Sequence, residues 1–255
     1  MFRLPRISVL SAVLALVLAA CAPGQAGEET LPKPRVGLFT SLPIYWGEGD
    51  FGEILDGEAE QNWVRAELET RFELVPLDTL EPDALSGLER VILAQPRALA
   101  PSENASFDEW VSQGGRAVIL ADPMLTRHSH YPIGDRRRPQ DVVLLSPIFS
   151  HWGVALQFDE GQPEGEREVA WNGRGFPVNL RGRFTEADTG AGDRSCEVDG
   201  DGLVARCARG AGEALLFADA ALLDWEDSGP LPQARRDALW DLLAPLAADR
   251  QSSAN

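Results

Sequence analysis

Four short apolar runs set the narrowest limits on how this chain folds: RVGLFT at 35–40, RVILA at 90–94, RAVIL at 116–120 and EALLF at 213–217. None alternates polar with apolar residues over its length, so each has to be covered on both faces, as strands of a parallel sheet are. The segments between the first three have helical spacing. EAEQNWVRAELETRF puts Trp63, Val64, Leu68 and Phe72 largely on one helical face. APSENASFDEWVSQGG offers Ser102 as N-cap after Pro101, an apolar set of Phe107, Trp110 and Val111, and Gly114-Gly115 as a stop. FELVPL is a further strand and EPDALSGL a helical turn. A last helix, QARRDALWDLLAPLAAD, carries the stripe Leu239, Leu242, Leu243 and Leu246. Strands alternating with helices imply parallel βαβ units and an α/β fold with a mainly parallel sheet.

The second half changes character. From about 160 to 210 the chain is rich in Gly, Glu, Asp and Arg, with strand-like pieces EVAWNGRGFPVNL and CEVDGDGLVARC turning at Asn-Gly and Asp-Gly. These predict an antiparallel β elaboration of the sheet. If Asp201-Gly202 is a two-residue loop, Cys196 and Cys207 fall opposite each other across the strands, which predicts a disulfide.

The amino terminus speaks to location. Residues 1–20 read as a signal peptide: Arg3 and Arg6, then ISVLSAVLALVLAA, an apolar run too short to be a stable membrane span. LAAC, Leu18 to Cys21, resembles a bacterial lipobox, which implies a diacylglyceryl thioether on Cys21, palmitate-type acylation and a membrane anchor. Residues 21–34 then form a flexible tether, 35–249 a single α/β domain, and 250–255 a disordered tail. Loss of the signal leaves 21 Lys+Arg against 40 Asp+Glu, moving net charge from −17 to −19. So acidic a surface argues against nucleic acid as a partner and gives lipid, rather than electrostatics, the task of holding the chain to its membrane. Ala22 is not the aspartate of an inner-membrane retention signal, so the expected place is the periplasmic side of the envelope, with the outer membrane favoured over the inner.

The order of LAPSENASFDEWVSQGGRAVILADPML, LLSPIFSHWGVALQF and GAGEALLFADAALLDW resembles the soluble domain of the gliding-motility auxiliary (GldG-like) family of ABC transport systems. In that family a helix runs through Gly-Gly into a strand ending near Asp-Pro, W-G-V opens the next strand, and G-x-G precedes a strand ending in aspartate. The resemblance spans Val36 to Leu246. It implies a flavodoxin-like three-layer sandwich related to glutamine amidotransferases but without their activity. Membrane-embedded members carry a C-terminal membrane helix; the expectation is that lipid on Cys21 replaces that anchor here. Amidotransferase chemistry needs a cysteine on a strained strand-to-helix elbow, and at that point this chain has Gln95-Pro96. No G-x-S-x-G occurs either.

In an open α/β sheet, ligands bind at the carboxyl ends of the strands. That rule gathers Thr40, Ser41, Gln95, Asp122 and Asp219 into a candidate ligand crevice, with Tyr45 and Trp46 able to cover it. His128 and His130, spaced i, i+2 in an extended loop, could share a metal with Asp122 or Asp135. The blander readings are solvated histidines, strand-end aspartates that cap the next turn, and an Arg136–Arg138 run paired internally. The expectation is a non-catalytic, lipid-anchored envelope protein without a cofactor. It would act as a binding or scaffold component with a protein partner, auxiliary to an ABC-type transport or envelope process. The alternatives are a metal-dependent hydrolase using Asp122, His128 and His130, and a solute- or glycan-binding lipoprotein using the Tyr45-Trp46 loop.

Overall fold

The computed structural model describes residues 32–48, 61–187, 196–199, 201–225 and 229–247. The expected signal peptide, Cys21 and the 250–255 tail lie outside them. Residues from Lys33 onward fall in one compact unit. Strands β1 (Arg35–Thr40), β2 (Glu73–Pro76), β3 (Arg90–Ala94) and β4 (Arg116–Leu120) come from the runs read above as strands. They are joined by α1 (Trp63–Glu69), α2 (Pro82–Leu85) and α3 (Pro101–Ser112). After α4 (Ser146–Trp152) come β5 (Val154–Phe158), β6 (Arg167–Trp171), β7 (Arg174–Val178), β8 (Gly182–Glu186), β9 (Cys196–Val198), β10 (Val204–Arg209) and β11 (Gly212–Phe217). The last helices are α5 (Gln233–Leu242) and α6 (Ala244–Ala247).

The main sheet has seven strands in the order β2-β1-β3-β4-β11-β10-β9, parallel as far as β11 and antiparallel beyond it. Side chains alternate between its faces, and both faces are buried. Val36, Leu38, Ile92, Val118, Leu120, Leu215 and Phe217 join one core with Val64 and Leu68 of α1 and Leu239 and Leu242 of α5. Phe39, Val91, Leu93, Ile119 and Leu216 join the other with Phe107 and Val111 of α3 and Phe149 and Trp152 of α4. Each fully buried Leu or Phe contributes roughly 2 kcal/mol, so strand runs without a polar face are what this sheet requires. Among the described residues no helix is long and apolar enough to cross a membrane.

Two local expectations are corrected. The N-cap of α3 is Ala100 rather than Ser102, with Pro101 in the first turn. The capping is done from inside the helix by Glu103, whose carboxylate accepts the Ala100 N–H at 2.8 Å. Ser102 turns its hydroxyl to Glu81 instead. The closing helix is also two helices. It breaks at Leu243, just beyond which Pro245 offers no N–H and crowds the backbone before it. The buried Arg90 and Arg116, at the starts of β3 and β4, donate to the carbonyls of Leu246 and Pro245 and hold that last turn against the sheet.

The elaboration is built of hairpins. β5 pairs with β8, and β6 with β7 across Asn172-Gly173, where φ is +52° and +77° as a two-residue primed turn needs. The last hairpin differs in detail from its expectation. Gly202 N–H closes on the Asp199 carbonyl at 2.6 Å and the final backbone bond joins Asp199 to Val204, so the loop is four residues, 200–203. A four-residue and a two-residue loop centred on the same bond give one register, and Cys196 stands opposite Cys207 and is bonded to it. By the alternation of antiparallel ladders, 199/204 being hydrogen-bonded makes 196/207 a non-bonded pair, the closer kind, with Cα atoms 3.9 Å apart. Closing so short a loop removes roughly 3 kcal/mol of unfolded-chain entropy. The Cys196→Ala/Cys207→Ala double variant should lower the urea midpoint, and wild type in reductant should match it; midpoints equal to that of the oxidised protein would contradict this.

Candidate functional site

At the carboxyl edge of the parallel sheet β1, β3, β4 and β11 each end at or run into a polar residue, and the structure turns these inward. The strand order reverses between β1 and β3, where open α/β sheets part to admit a ligand. Here that gap is stitched shut. Thr40 Oγ1 donates to the Ala94 carbonyl at 2.7 Å, and Ser41 donates to the Gln95 carbonyl both from Oγ, at 2.5 Å, and from its backbone N–H, at 3.3 Å. Ser41 Oγ also accepts the Gln140 N–H at 3.0 Å.

Gln95 follows β3 with φ at +44°, a left-handed conformation that a side chain of this kind adopts only under tertiary constraint. It is fully buried. Its Nε2 donates to the carbonyls of Asp122 and Gln140 at 3.0 and 2.8 Å, and its Oε1 accepts the Asp122 N–H at 2.8 Å. One amide thus joins β3 to the end of β4 and to the long loop 123–145 folded across the edge.

Asp122 and Asp219 extend the seam. They follow β4 and β11, which pair Leu120 with Phe217, so both carboxylates lie two residues beyond the same rung. Both are fully buried. Asp122 accepts the N–H groups of Met124 at 2.8 Å and Ala220 at 3.2 Å; Asp219 accepts those of Ala221 at 2.6 Å and Asn179 at 2.9 Å. Burial raises the Asp122 carboxyl from 3.8 to about 7, against the lowering effect of its two N–H donors. Asp219 is also pushed well up, first by burial and then by the nearby Asp122 charge, with the Ala221 and Asn179 N–H groups and then Arg167 opposing. Two carboxylates so placed do not both ionise readily near neutrality.

The remaining candidates sit outside the seam. Tyr45 packs under Arg65, whose guanidinium lies 4.3 Å from the ring centroid and whose Nη1 donates to the Tyr45 carbonyl. Trp46 stands against Tyr45 edge to face and is 64% exposed. His128 and His130 are exposed, with ring centroids 6.0 Å apart. Among the described residues no three His, Cys, Asp or Glu side chains come together to hold a metal ion. Asp122, the third ligand considered for a metal with the two histidines, is shut beneath the loop with both oxygens engaged. Asp135 instead binds Arg137, and Arg138 binds Asp141 and the Tyr131 carbonyl. Trp171, beside the Asn172-Gly173 turn and not one of these candidates, donates its indole N–H to Asp199 and packs against Phe176.

The space beside the seam, bounded by Leu42, Ile44, Leu125, Ala220 and Leu223, is about 10 Å³, room for one water at most. A groove of about 660 Å³ lies elsewhere, along β9, β10, the start of β11 and Pro245. It contains none of the strand-end residues. Two members of the seam escaped sequence reasoning. Asn179 contributes a backbone N–H, which every residue but proline has, and Gln140 a carbonyl and an N–H from a loop with no periodicity.

No protein-family model and no curated protein matches the chain. Among solved structures it is similar to the exo-β-1,4-mannosidase Op5Man5 from Opitutaceae bacterium strain TAV5, at 14% identity and a TM-score of 0.49, over 85% of this chain and 36% of that one. It is similar also to Gan42B, a GH42 β-galactosidase from G. stearothermophilus, at 14% identity and TM-score 0.47, over 85% and 30%. A ThuA-like protein from Bacteroides uniformis aligns at 10% identity and TM-score 0.43, over 84% and 92%. The chain spans only about a third of the length of the two glycosidases, and at these identities the likeness carries no chemistry across.

Proposed function

We propose that this chain is a non-catalytic, lipid-anchored envelope protein, a binding or scaffold component auxiliary to an ABC-type transport or envelope process. The domain is read as a flavodoxin-like three-layer sandwich of the GldG-like, amidotransferase-related kind. The strand order β2-β1-β3-β4-β11 and the two cores on opposite sheet faces support the fold reading.

The observation that carries the non-catalytic reading is Gln95. It follows β3 in a left-handed conformation, at the point where the resemblance calls for a cysteine, and it offers a buried amide that is wholly engaged with the backbone. The seam beside it supplies no exposed acid, base or nucleophile, so the polar residues of this edge serve to lock the loop 123–145 down. A lipoprotein whose sheet edge is locked presents surface rather than chemistry.

Crosslinking in the native bacterium, detergent extraction and purification of the full chain tests this. Subunits of an ABC-type transport system should copurify with the wild type and be depleted with Cys21→Ser. Recovery of no transport or envelope-assembly protein above that control would contradict the proposal, as would turnover of an ester, peptide or glycoside substrate that Asp219→Asn abolishes.

A further inference from the structure

All five large hydrophobic side chains that stand exposed among the described residues lie on two adjoining loops at the carboxyl edge: Trp46, then Met124, Ile133, Val142 and Leu144 on the loop 123–145. Scattered exposed apolar residues are ordinary on any protein, but their collection at one place is not. Backbone bonds make the patch continuous. Leu125 N–H to the Asp141 carbonyl and Val143 N–H to the Asp122 carbonyl lay the two ends of the loop side by side, which sets Met124 beside Val142 with Leu144 two residues further on. Glu48 accepts the His130 N–H at 3.3 Å and ties the Trp46 loop to the base of the turn that carries Ile133.

The outward direction of these side chains is built in. Ser129, Val143 and Leu145 on the same loop are buried, and the loop is pinned from below by Ser41 and Gln95. Ile133 is 90% exposed at the apex of a tight turn closed by Asp135 N–H on the Pro132 carbonyl. Charge does not oppose a contact at this face. Arg127 and Arg136 to Arg138 stand against Asp135, Asp141, the Asp224 that pairs with Arg127 and the Glu48 that accepts the His130 N–H, which leaves the face neutral in a chain of net −17. Charges beyond about 8 Å are largely screened at physiological salt, so a surface touching this loop meets the neutral apolar face and not the acidic whole.

We infer that the outer face of this loop, together with Trp46, seats on a phospholipid surface. Ile133, Leu144 and Trp46 enter the acyl boundary while the exposed Arg136 reaches a phosphate. Single apolar side chains on protruding turns suit a fluid surface better than a shaped protein groove. The inference rests on the lipid-anchored reading, which holds the domain beside a membrane. Residues 22–34 span up to about 45 Å when extended, roughly twice the length of β1, so an anchor at Cys21 leaves the carboxyl edge free to reach the lipid.

The test uses the full chain reconstituted in vesicles of phosphatidylcholine, alone or mixed with phosphatidylglycerol, with brominated acyl chains as quencher. The emission of Trp46, taken as the difference between wild type and Trp46→Phe, should be quenched roughly twofold in both vesicle types. Ile133→Asp/Leu144→Asp should abolish the quenching while melting as the wild type does, because both sites are exposed. Unquenched Trp46 in both vesicle types, or equal quenching in the double variant, would overturn the inference. So would a dimer in detergent that the double variant dissolves without any quenching, since the face would then belong to a second copy. Mass spectrometry of the N-terminal peptide reads the anchor separately. Lipidated Cys21 with unquenched Trp46 leaves the anchor standing and sinks this contact, whereas quenching with unmodified Cys21 does the reverse.

Discussion

Replacing Gly212 with alanine is expected to lower folding stability by about 3 kcal/mol or more, the upper end of what overpacking by one methyl group does. The turn Gly210-Ala211 brings the β10–β11 hairpin against the end of α3, where Ala211 N–H bonds the Ser112 carbonyl and Glu213 N–H the Gly115 carbonyl. A Cβ on Gly212 would lie 2.0 Å from the Val111 oxygen and 2.3 Å from the Gly115 oxygen. Neither oxygen can retreat without breaking a bond, since the first accepts Gly114 N–H and the second Glu213 N–H. This is the physical content of the G-x-G that precedes the strand. Urea unfolding should show a lower midpoint at unchanged slope. Gly229→Ala, where a Cβ meets nothing within 4 Å, is the control. A Gly212→Ala midpoint within about 0.5 kcal/mol of wild type would mean that the hairpin does not sit as described.

The second large effect is a loss of stability as pH rises. The Asp122 carboxyl has an ordinary value of 3.8 and is lifted to about 7 on folding, chiefly by burial. Between those values the folded protein keeps a proton that the unfolded chain has released. Its contribution is therefore complete below about pH 4 and lost as pH passes through about 7, on the order of 4 kcal/mol in all. Asp219, raised by burial and by Asp122, extends the loss to higher pH, with its two N–H donors and then Arg167 working against it. Glu103, lowered to about 2 first by its bond to Arg97, changes stability only in the acid range and leaves this window clear. Asp219→Asn removes one of the two charges but turns an amide N–H₂ toward a backbone donor. It should thus cost roughly 1–3 kcal/mol at about pH 5 and little or nothing at about pH 9. Melting curves across that range should converge or cross; parallel curves for variant and wild type would show that the pair does not share a proton.

How much of this was legible in the sequence differs by element. The parallel strands were, because RVILA and RAVIL are uniformly apolar and only a sheet covered on both faces uses such runs. The Cys196–Cys207 pairing was legible for a narrower reason: register depends on where a hairpin is centred and not on how many residues its loop contains. The cap of α3 was misplaced because Ser102 has the usual chemistry for that position, while a carboxylate at Glu103 can satisfy the same orphan N–H from within. At the carboxyl edge the sequence located Thr40, Ser41, Gln95, Asp122 and Asp219 together, since strand ends follow from strands. It did not reveal that the edge is closed. Closure depends on the loop 123–145 returning over it and on the Asn179 N–H arriving from the elaboration, and neither leaves a periodic trace.

The central claim is that this edge is a locked seam. Amide hydrogen exchange at neutral pH tests it most directly, read at the N–H groups of Met124, Asn179, Ala220 and Ala221 that the two carboxylates accept. The account predicts protection close to that of Ile92 and Val118 in the central strands, and far above that of Gly134 at the loop apex. Exchange of those four amides as fast as Gly134, with β3 and β4 still protected, would mean that the edge opens to solvent in the native state, and the strand-end aspartates would then return as candidates for chemistry.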